Sequence, residues 1–212
     1  MFAFHPRPND QGQPVRIQTP SQATTLETWS DPSAVATCRP NGLPPMRLNG
    51  LLLAPASLDD VVHADIEEPP FAPPSGTKAA AGAVVVEPDA RVWVVHPTNG
   101  FGGYLATFPK GRPAPGATLQ ETAVREVFEE CGLVVEVFGF LIDSKRSTSF
   151  TRYYLARRLA GSPADMDWES QAVSLVPLAQ LTAILNQPVD HAIVAALQAR
   201  AVEWGAWFGA RE

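Results

Sequence analysis

From residue 77 onwards, the sequence predicts a fold of the α/β or α+β class, in which strands are interleaved with helices. Two observations carry this prediction: residues 79–86 form a continuous apolar run typical of a buried strand, and residues 118–131 have helical periodicity. The helical segment is followed by Gly132, a residue type that often lies just after a helix C-terminus. A helix bundle or a sandwich of two sheets would not show this alternation.

The other segments continue the pattern. Residues 91–96 follow the first strand after a turn-like tetrapeptide, which predicts a β-hairpin, and residues 101–108 are predicted to be a short extended segment. The remaining predicted elements are strands at 133–142, 150–159 and 172–176, and helices at 179–186 and 190–204, separated by Pro188.

Residues 1–76 are predicted to form an irregular, Pro-rich N-terminal extension, and residues 77–212 the main domain. Thirteen of the 21 prolines lie in the first 74 residues, where no long periodic segment occurs. Within the extension, residues 48–54 are mostly apolar and are a candidate strand, and Ser57 is a candidate cap of a helical turn at 57–60.

Composition excludes several classes of protein. The chain has 212 residues, 45% of them hydrophobic, which is enough to build a sizeable core. A net charge of −6 argues against a general nucleic-acid or membrane-binding surface, and two cysteines exclude a disulfide scaffold. No apolar run reaches the ~18 residues that a membrane helix needs, and the first residues lack a signal-peptide pattern. A cytoplasmic location is therefore expected.

Three carboxylates share one face of the predicted helix at 118–131. At 100° per residue, Glu126, Glu129 and Glu130 fall within an arc of about 100°, roughly opposite an apolar arc. Like charges at this spacing repel each other, and the C-terminal end of a helix disfavours anions. A hard divalent cation bound by these oxygens would reverse the penalty. The spacing alone leaves a solvated acidic face as the alternative.

The segment from Gly111 to Leu133 resembles the Nudix box of the Nudix hydrolase family, G-x5-E-x7-R-E-U-x-E-E-x-G-U, in which U is an apolar aliphatic residue. Eight of the nine fixed positions match at the family spacing: Gly111, Arg125, Glu126, Val127, Glu129, Glu130, Gly132 and Leu133. The exception is Ala117, where the family has a glutamate. The preceding Phe108-Pro109-Lys110 is also similar to the residues before the box in many members.

This resemblance implies a Nudix-type α/β/α sandwich with a mixed β-sheet. It implies metal-dependent hydrolysis of a pyrophosphate bond in a nucleoside diphosphate-linked substrate, with Mg²⁺ or Mn²⁺ as the cofactor. The implied catalytic residues are Arg125, Glu126, Glu129 and Glu130, and the implied metal ligands are Glu126, Glu129, Glu130 and Glu169. For Glu169, a plain acidic loop that also contains Asp165 and Asp167 is the alternative interpretation. Glu126 is implied as a ligand or as the water-activating base, and Arg125 as a residue that orients a glutamate by ion pairing.

The stretch from Phe108 to Gly116 resembles that of hydrolases acting on dinucleoside polyphosphates and diphosphoinositol polyphosphates. ADP-ribose and other nucleotide sugars are the next substrate class. Lys110, Arg112 and Arg152 are candidate substrate-binding cations, and ordinary exposed surface cations are the alternative interpretation of each.

Two further hypotheses stay open. Because Ala117 breaks the box, the chain could be a non-catalytic Nudix-like module that binds a ligand or regulates a partner. The N-terminal extension could instead be an interaction element that becomes ordered against a partner subunit, which would give a homodimer.

Overall fold

A computed structural model describes residues 3–57 and 65–208. In these residues the strands are β1 (Ala3–Phe4), β2 (Arg16–Ile17), β3 (Ala36–Cys38), β4 (Met46–Leu48), β5 (Leu51–Leu53), β6 (Lys78–Val86), β7 (Arg91–Pro97), β8 (Lys110–Gly111), β9 (Leu133–Lys145), β10 (Ser149–Gly161) and β11 (Ser170–Pro177). The described part of the main sheet has the strand order β3–β11–β7–β6–β10–β9, with β8 paired to β6. Strand β10 runs parallel to β6 and antiparallel to β9, so the sheet is mixed, as predicted.

Helices cover both faces of this sheet. They are α1 (Leu26–Ser30), α2 (Leu119–Cys131), α3 (Leu181–Ile184), α4 (Pro188–Ala199) and α5 (Trp204–Phe208). Side chains alternate along β6: Ala83 shares a core cluster with Val127 of α2, whereas Val84 shares another with Val194 of α4. The predicted α/β/α arrangement is therefore confirmed. In the described ranges, no helix combines the length and apolar character that crossing a bilayer requires.

Helix α2 begins and ends where its local sequence dictates. Thr118 and Glu121 form a capping box, in which the Thr118 hydroxyl accepts from the Glu121 amide and the Glu121 carboxylate accepts from the Thr118 amide. At the other end, Gly132 takes the left-handed conformation, with φ of 67°, and its amide donates to the carbonyl of Phe128. The three box glutamates therefore lie on a helix with fixed ends.

The N-terminal residues contribute to the same core. Strand β3 pairs with β11 at the edge of the main sheet, and Trp29 of α1 is fully buried, with its ring centroid 5.9 Å from that of Trp93. The predicted single strand at 48–54 is corrected to the β4–β5 hairpin, because Asn49 and Gly50 both adopt positive φ and reverse the chain. The helical turn at 57–60 lies outside the described residues after Ser57. The division at residue 76 stays a prediction.

Two other segments differ from expectation. Residues 101–108 are not an extended strand, because positive φ angles at Asn99, Gly100 and Gly102 form a compact turn over 98–103. The predicted helix at 190–204 begins earlier, because Pro188 occupies its first turn, where a backbone amide would have no partner within the helix. The helix also ends earlier: α4 stops at Ala199, and a short 3₁₀ turn leads to α5. The predicted helix at 179–186 is reduced to α3 and a preceding 3₁₀ turn.

Candidate active site and metal centre

Three glutamates converge at one end of the sheet. Glu126 and Glu130 of α2, and Glu169 from the turn before β11, each offer a carboxylate oxygen, and these oxygens lie within 4.8 Å of one another. Glu126 and Glu130 are buried, whereas Glu169 is exposed. Oxygen ligands of this kind and number suit Mg²⁺ or Mn²⁺. Three of the four predicted metal ligands are thus brought together.

The turn that carries Glu169 is anchored to α2 and to the turn that follows β7. The amide of Asp167 donates to the carbonyl of Glu129 at 2.7 Å, which ties the turn to the helix. The amide of Thr98 donates to the carbonyl of Glu169 at 2.8 Å, and the Thr98 hydroxyl donates to the carbonyl of Trp168 at 2.7 Å. The position of Glu169 is therefore set by elements on both sides of it.

Glycines allow the box loop to approach the helix closely. A Cβ at position 111 would clash with the carboxylate of Glu126, so only glycine lets this carboxylate occupy its place. Strand β8 meets β6 at Gly82, where a Cβ would clash with the carbonyl of Pro109. The same close approach lets the Lys110 amide donate to Glu130 Oε2 at 3.1 Å.

Arg125 holds two of the box glutamates. Its guanidinium forms ion pairs with Glu126 and Glu129, each at 2.6 Å, and donates to the carbonyl of Arg112 at 2.9 Å. This is the orienting contact that the resemblance implies. Glu129 is not one of the three clustered glutamates; its side chain is 37% exposed beside Arg125. Ala117 lies just before the N-cap of α2, and its amide donates to the carbonyl of Ala114.

Burial makes the clustered carboxylates costly to ionise. Burial raises the pKa of Glu130 to about 8, against the opposing charge of Lys110. Burial likewise raises the pKa of Glu126 to about 7, although Arg125 opposes the rise. Arg125 and Lys110 are thus the cations that offset these carboxylates, and a bound divalent cation would remove the remaining penalty. The donor set and its charge therefore fit a metal ion.

The pKa of Glu169 is also raised. Desolvation of its carboxyl group by the surrounding chain is the largest cause, even though the residue as a whole is exposed, and the negative charge of Asp10 comes next. Asp10 lies in the loop between β1 and β2, far from the Nudix box in sequence. Neither Asp10 nor Trp168 was predicted as part of the site, since no local sequence pattern connects them to the box.

The three predicted substrate-binding cations have different surroundings. Lys110 is half-buried, with its Nζ 5.9 Å from the ring centroid of Tyr104, and Arg112 is exposed at the mouth of the loop. Arg152 is fully buried. Its guanidinium bonds Asp143 through two nitrogens and donates to the carbonyl of Pro69, so protein groups occupy its donors, and its predicted contact with substrate stays a prediction.

Comparison with known proteins adds to this geometry. A family model described as NUDIX domain matches residues 76–197, more than half of the chain. The putative mutator protein MutT4 of Mycobacterium tuberculosis (strain CDC 1551 / Oshkosh) is 36% identical over 88 residues. That match covers 38% of this chain and 36% of the mycobacterial protein, so the chain spans about a third of the length of this relative.

The solved structures that resemble the fold include two with a TM-score above 0.5. A NUDIX hydrolase from Nitrosomonas europaea superimposes with a TM-score of 0.52 at 15% identity, covering 58% of this chain and 89% of that chain. An Ap4A hydrolase from C. elegans, in a binary complex, has a TM-score of 0.51 at 19% identity and covers 58% of this chain and 98% of that chain. At these identities the comparison concerns the fold.

Proposed function

Because the chain belongs to the Nudix hydrolase family, we propose that it hydrolyses a pyrophosphate bond in a nucleoside diphosphate-linked substrate, with Mg²⁺ or Mn²⁺ as its cofactor. The observation that carries the proposal is the convergence of Glu126, Glu130 and Glu169 within 4.8 Å. A pyrophosphate is polyanionic and repels an attacking water. A cation in the site would neutralise phosphate charge and lower the pKa of the water.

The protein residues have separate parts in this proposal. Glu126, Glu130 and Glu169 would hold the cation, and Glu129, which is paired with Arg125, would serve as a further ligand. Arg125 orients Glu126 and Glu129 through its two ion pairs. Glu126 or another glutamate of the box would serve as the general base.

Lys110 and Arg112 are the proposed phosphate contacts. The Lys110 amide donates to Glu130, and the positive charge of the Lys110 side chain opposes the rise in the pKa of Glu130. Arg112 is exposed within the same loop. Cations at these two places favour a substrate with several phosphates, whose charge they would offset.

Dinucleoside polyphosphates are the substrates that we propose first. The residues from Phe108 to Gly116 resemble those of such hydrolases, and one structure with the same fold is that of an Ap4A hydrolase. The resemblance of the residues from Phe108 to Gly116 also supports diphosphoinositol polyphosphates as substrates. ADP-ribose and other nucleotide sugars are the second class to test.

The test is a phosphate-release panel with Mg²⁺ or Mn²⁺, run on wild type, Glu130→Gln and the control Glu136→Gln. Glu136 lies on β9 and pairs with Arg157, outside the carboxylate cluster. Since losing a metal ligand removes several kcal/mol of transition-state stabilisation, Glu130→Gln should lower the rate by at least about 100-fold. The control should retain wild-type activity. If wild type hydrolyses no member of the panel, the binding-module hypothesis replaces this one.

A further inference from the structure

The N-terminal segment, defined as residues 3–21, is tied to residues that flank Glu169. The Trp168 indole N–H donates to Asp10 Oδ1 at 3.0 Å. On the other side of Glu169, the side-chain Nε2 of Gln171 donates to the carbonyl of Thr19 and to the hydroxyl of Ser21, both at 3.0 Å. The segment therefore contacts the residue immediately before the candidate metal ligand and the residue two positions after it.

Asn99 forms a third connection. Its side chain accepts from the amide of Gln18 and donates to the carbonyl of Arg16, both at 2.8 Å, so it pairs with the segment as a neighbouring strand would. Its own amide donates to the Gln171 side chain at 2.8 Å. Asn99 follows Thr98, which bonds the carbonyls of Trp168 and Glu169. The contacts of Trp168, Gln171 and Asn99 thus all connect the N-terminal segment to the turn that carries Glu169.

We propose that Asp10 is a positioning residue for Glu169, acting through its hydrogen bond with the Trp168 indole. This inference rests on the proposed function, because it concerns a glutamate that we assign to the metal site. Thr98 holds the Trp168 backbone, and Asp10 holds its side chain, so Trp168 is restrained at both ends. A restrained Trp168 fixes the adjoining Glu169 and reduces the ordering that metal binding requires.

The proposal gives the N-terminal segment a part in the active site. Asp10 lies outside residues 76–197, the part of the chain that the family model matches. The exposed Asp10 carboxylate could alternatively contribute through its negative charge, as a ligand or as a nearby anion. The positioning role needs only a hydrogen-bond acceptor at position 10, whereas the second role needs the negative charge. An asparagine at position 10 separates them, because it keeps the acceptor oxygen and removes the charge.

The experiment measures Mn²⁺ binding to the substrate-free, full-length protein by electron paramagnetic resonance of the free ion, together with metal-dependent kinetics. The variants are Asp10→Ala, Asp10→Asn, Trp168→Phe and the double variant Asp10→Ala/Trp168→Phe. The matched control is Trp204→Phe, which removes an indole N–H that donates to the carbonyl of Glu87 at 2.9 Å. Melting curves in chelator identify any variant that fails to fold.

We expect Asp10→Ala and Trp168→Phe each to raise the Mn²⁺ dissociation constant about 10-fold, the size typical of lost support to a metal ligand. The double variant should be no weaker than either single variant, because both remove the same hydrogen bond. Asp10→Asn should restore most of the affinity, and Trp204→Phe should bind like wild type. The rate at saturating Mn²⁺ should change less than the Mn²⁺ concentration at half-maximal rate.

Three results would overturn the positioning role. If Asp10→Asn binds as weakly as Asp10→Ala, the charge of Asp10 acts directly. If the two single losses multiply in the double variant, Asp10 and Trp168 act independently. If Asp10→Ala binds Mn²⁺ like wild type while Glu130→Gln does not bind it, the positioning role fails and the proposed metal site stands. Absence of Mn²⁺ binding by wild type would overturn the positioning role, and absence of metal-dependent hydrolysis as well would overturn the proposed function.

Discussion

Replacing Glu130 by glutamine is expected to stabilise the metal-free protein at alkaline pH while removing its activity. Glu130 is only 8% exposed, and burial raises its pKa from 4.5 to about 8. At about 1.4 kcal/mol for each pH unit between these values, full ionisation of this carboxyl costs the folded, metal-free state roughly 5 kcal/mol. Glutamine is nearly isosteric and carries no charge, so it avoids this cost.

The sign of the pH dependence follows from proton binding. A carboxyl whose pKa is raised in the folded state binds its proton more tightly there than in the unfolded chain. The stability of the metal-free protein should therefore fall as the pH rises from about 4.5, and the loss should be complete above about 8. Glu126, with its pKa raised to about 7, contributes to the same slope and should keep part of it in the variant.

Urea denaturation in chelator between pH 5.5 and 8.5 measures this effect. At pH 8.5, Glu130→Gln should have a free energy of unfolding a few kcal/mol above that of wild type, and this difference should shrink to about 1.4 kcal/mol at pH 5.5, one unit above 4.5. Glu136→Gln is the control and should follow wild type. Saturating Mg²⁺ should stabilise wild type at pH 8.5 and leave Glu130→Gln nearly unchanged. A variant less stable than wild type at pH 8.5 would refute the reasoning.

Three further predictions concern single positions. Gly111→Ala should place a Cβ against the carboxylate of Glu126, lower activity more than 10-fold and cost about 1–3 kcal/mol of stability in urea denaturation; wild-type kinetics would contradict the close approach. Arg158→Met should leave the buried Glu87 carboxylate without its ion pair at 2.6 Å and lower the free energy of unfolding by about 3–5 kcal/mol, with unchanged activity per folded molecule; a loss below 1 kcal/mol would show that the pair contributes little. Ala117→Glu should lower the metal concentration at half-maximal rate about 10-fold by restoring support to the site; equal or weaker metal dependence would mean that the loop is adapted to alanine.

Elements set by local interactions were predictable from the sequence. The ends of α2 depend on Thr118, Glu121 and Gly132, which all lie within or next to the helix, and the predicted boundaries agree with the structure to one residue. The β4–β5 hairpin also has a local signal, an Asn49-Gly50 pair between apolar residues, which the sequence analysis did not use.

The candidate site was predictable only in part. Helical periodicity places Glu126, Glu129 and Glu130 on one face, but it does not show that Glu129 pairs outward with Arg125 while Glu169 completes the cluster. The prediction of Glu169 depended on family resemblance. Asp10 could not be found in this way, since it meets Trp168 across 158 residues of sequence and only the folded chain joins them.

The pairing of β3 with β11 has a consequence for folding in the cell. The hydroxyls of Thr37 and Ser174 lie 2.7 Å apart, although 137 positions separate them in the chain. At a synthesis rate of about 5–20 residues per second, β11 is synthesised on the order of 10 s after β3, so β3 has no partner strand during that time. Trp29, which is fully buried in the folded protein, lacks part of its packing during this interval. We therefore expect the edge of the sheet to close late, and nascent chains stalled before β11 to be good substrates for chaperones.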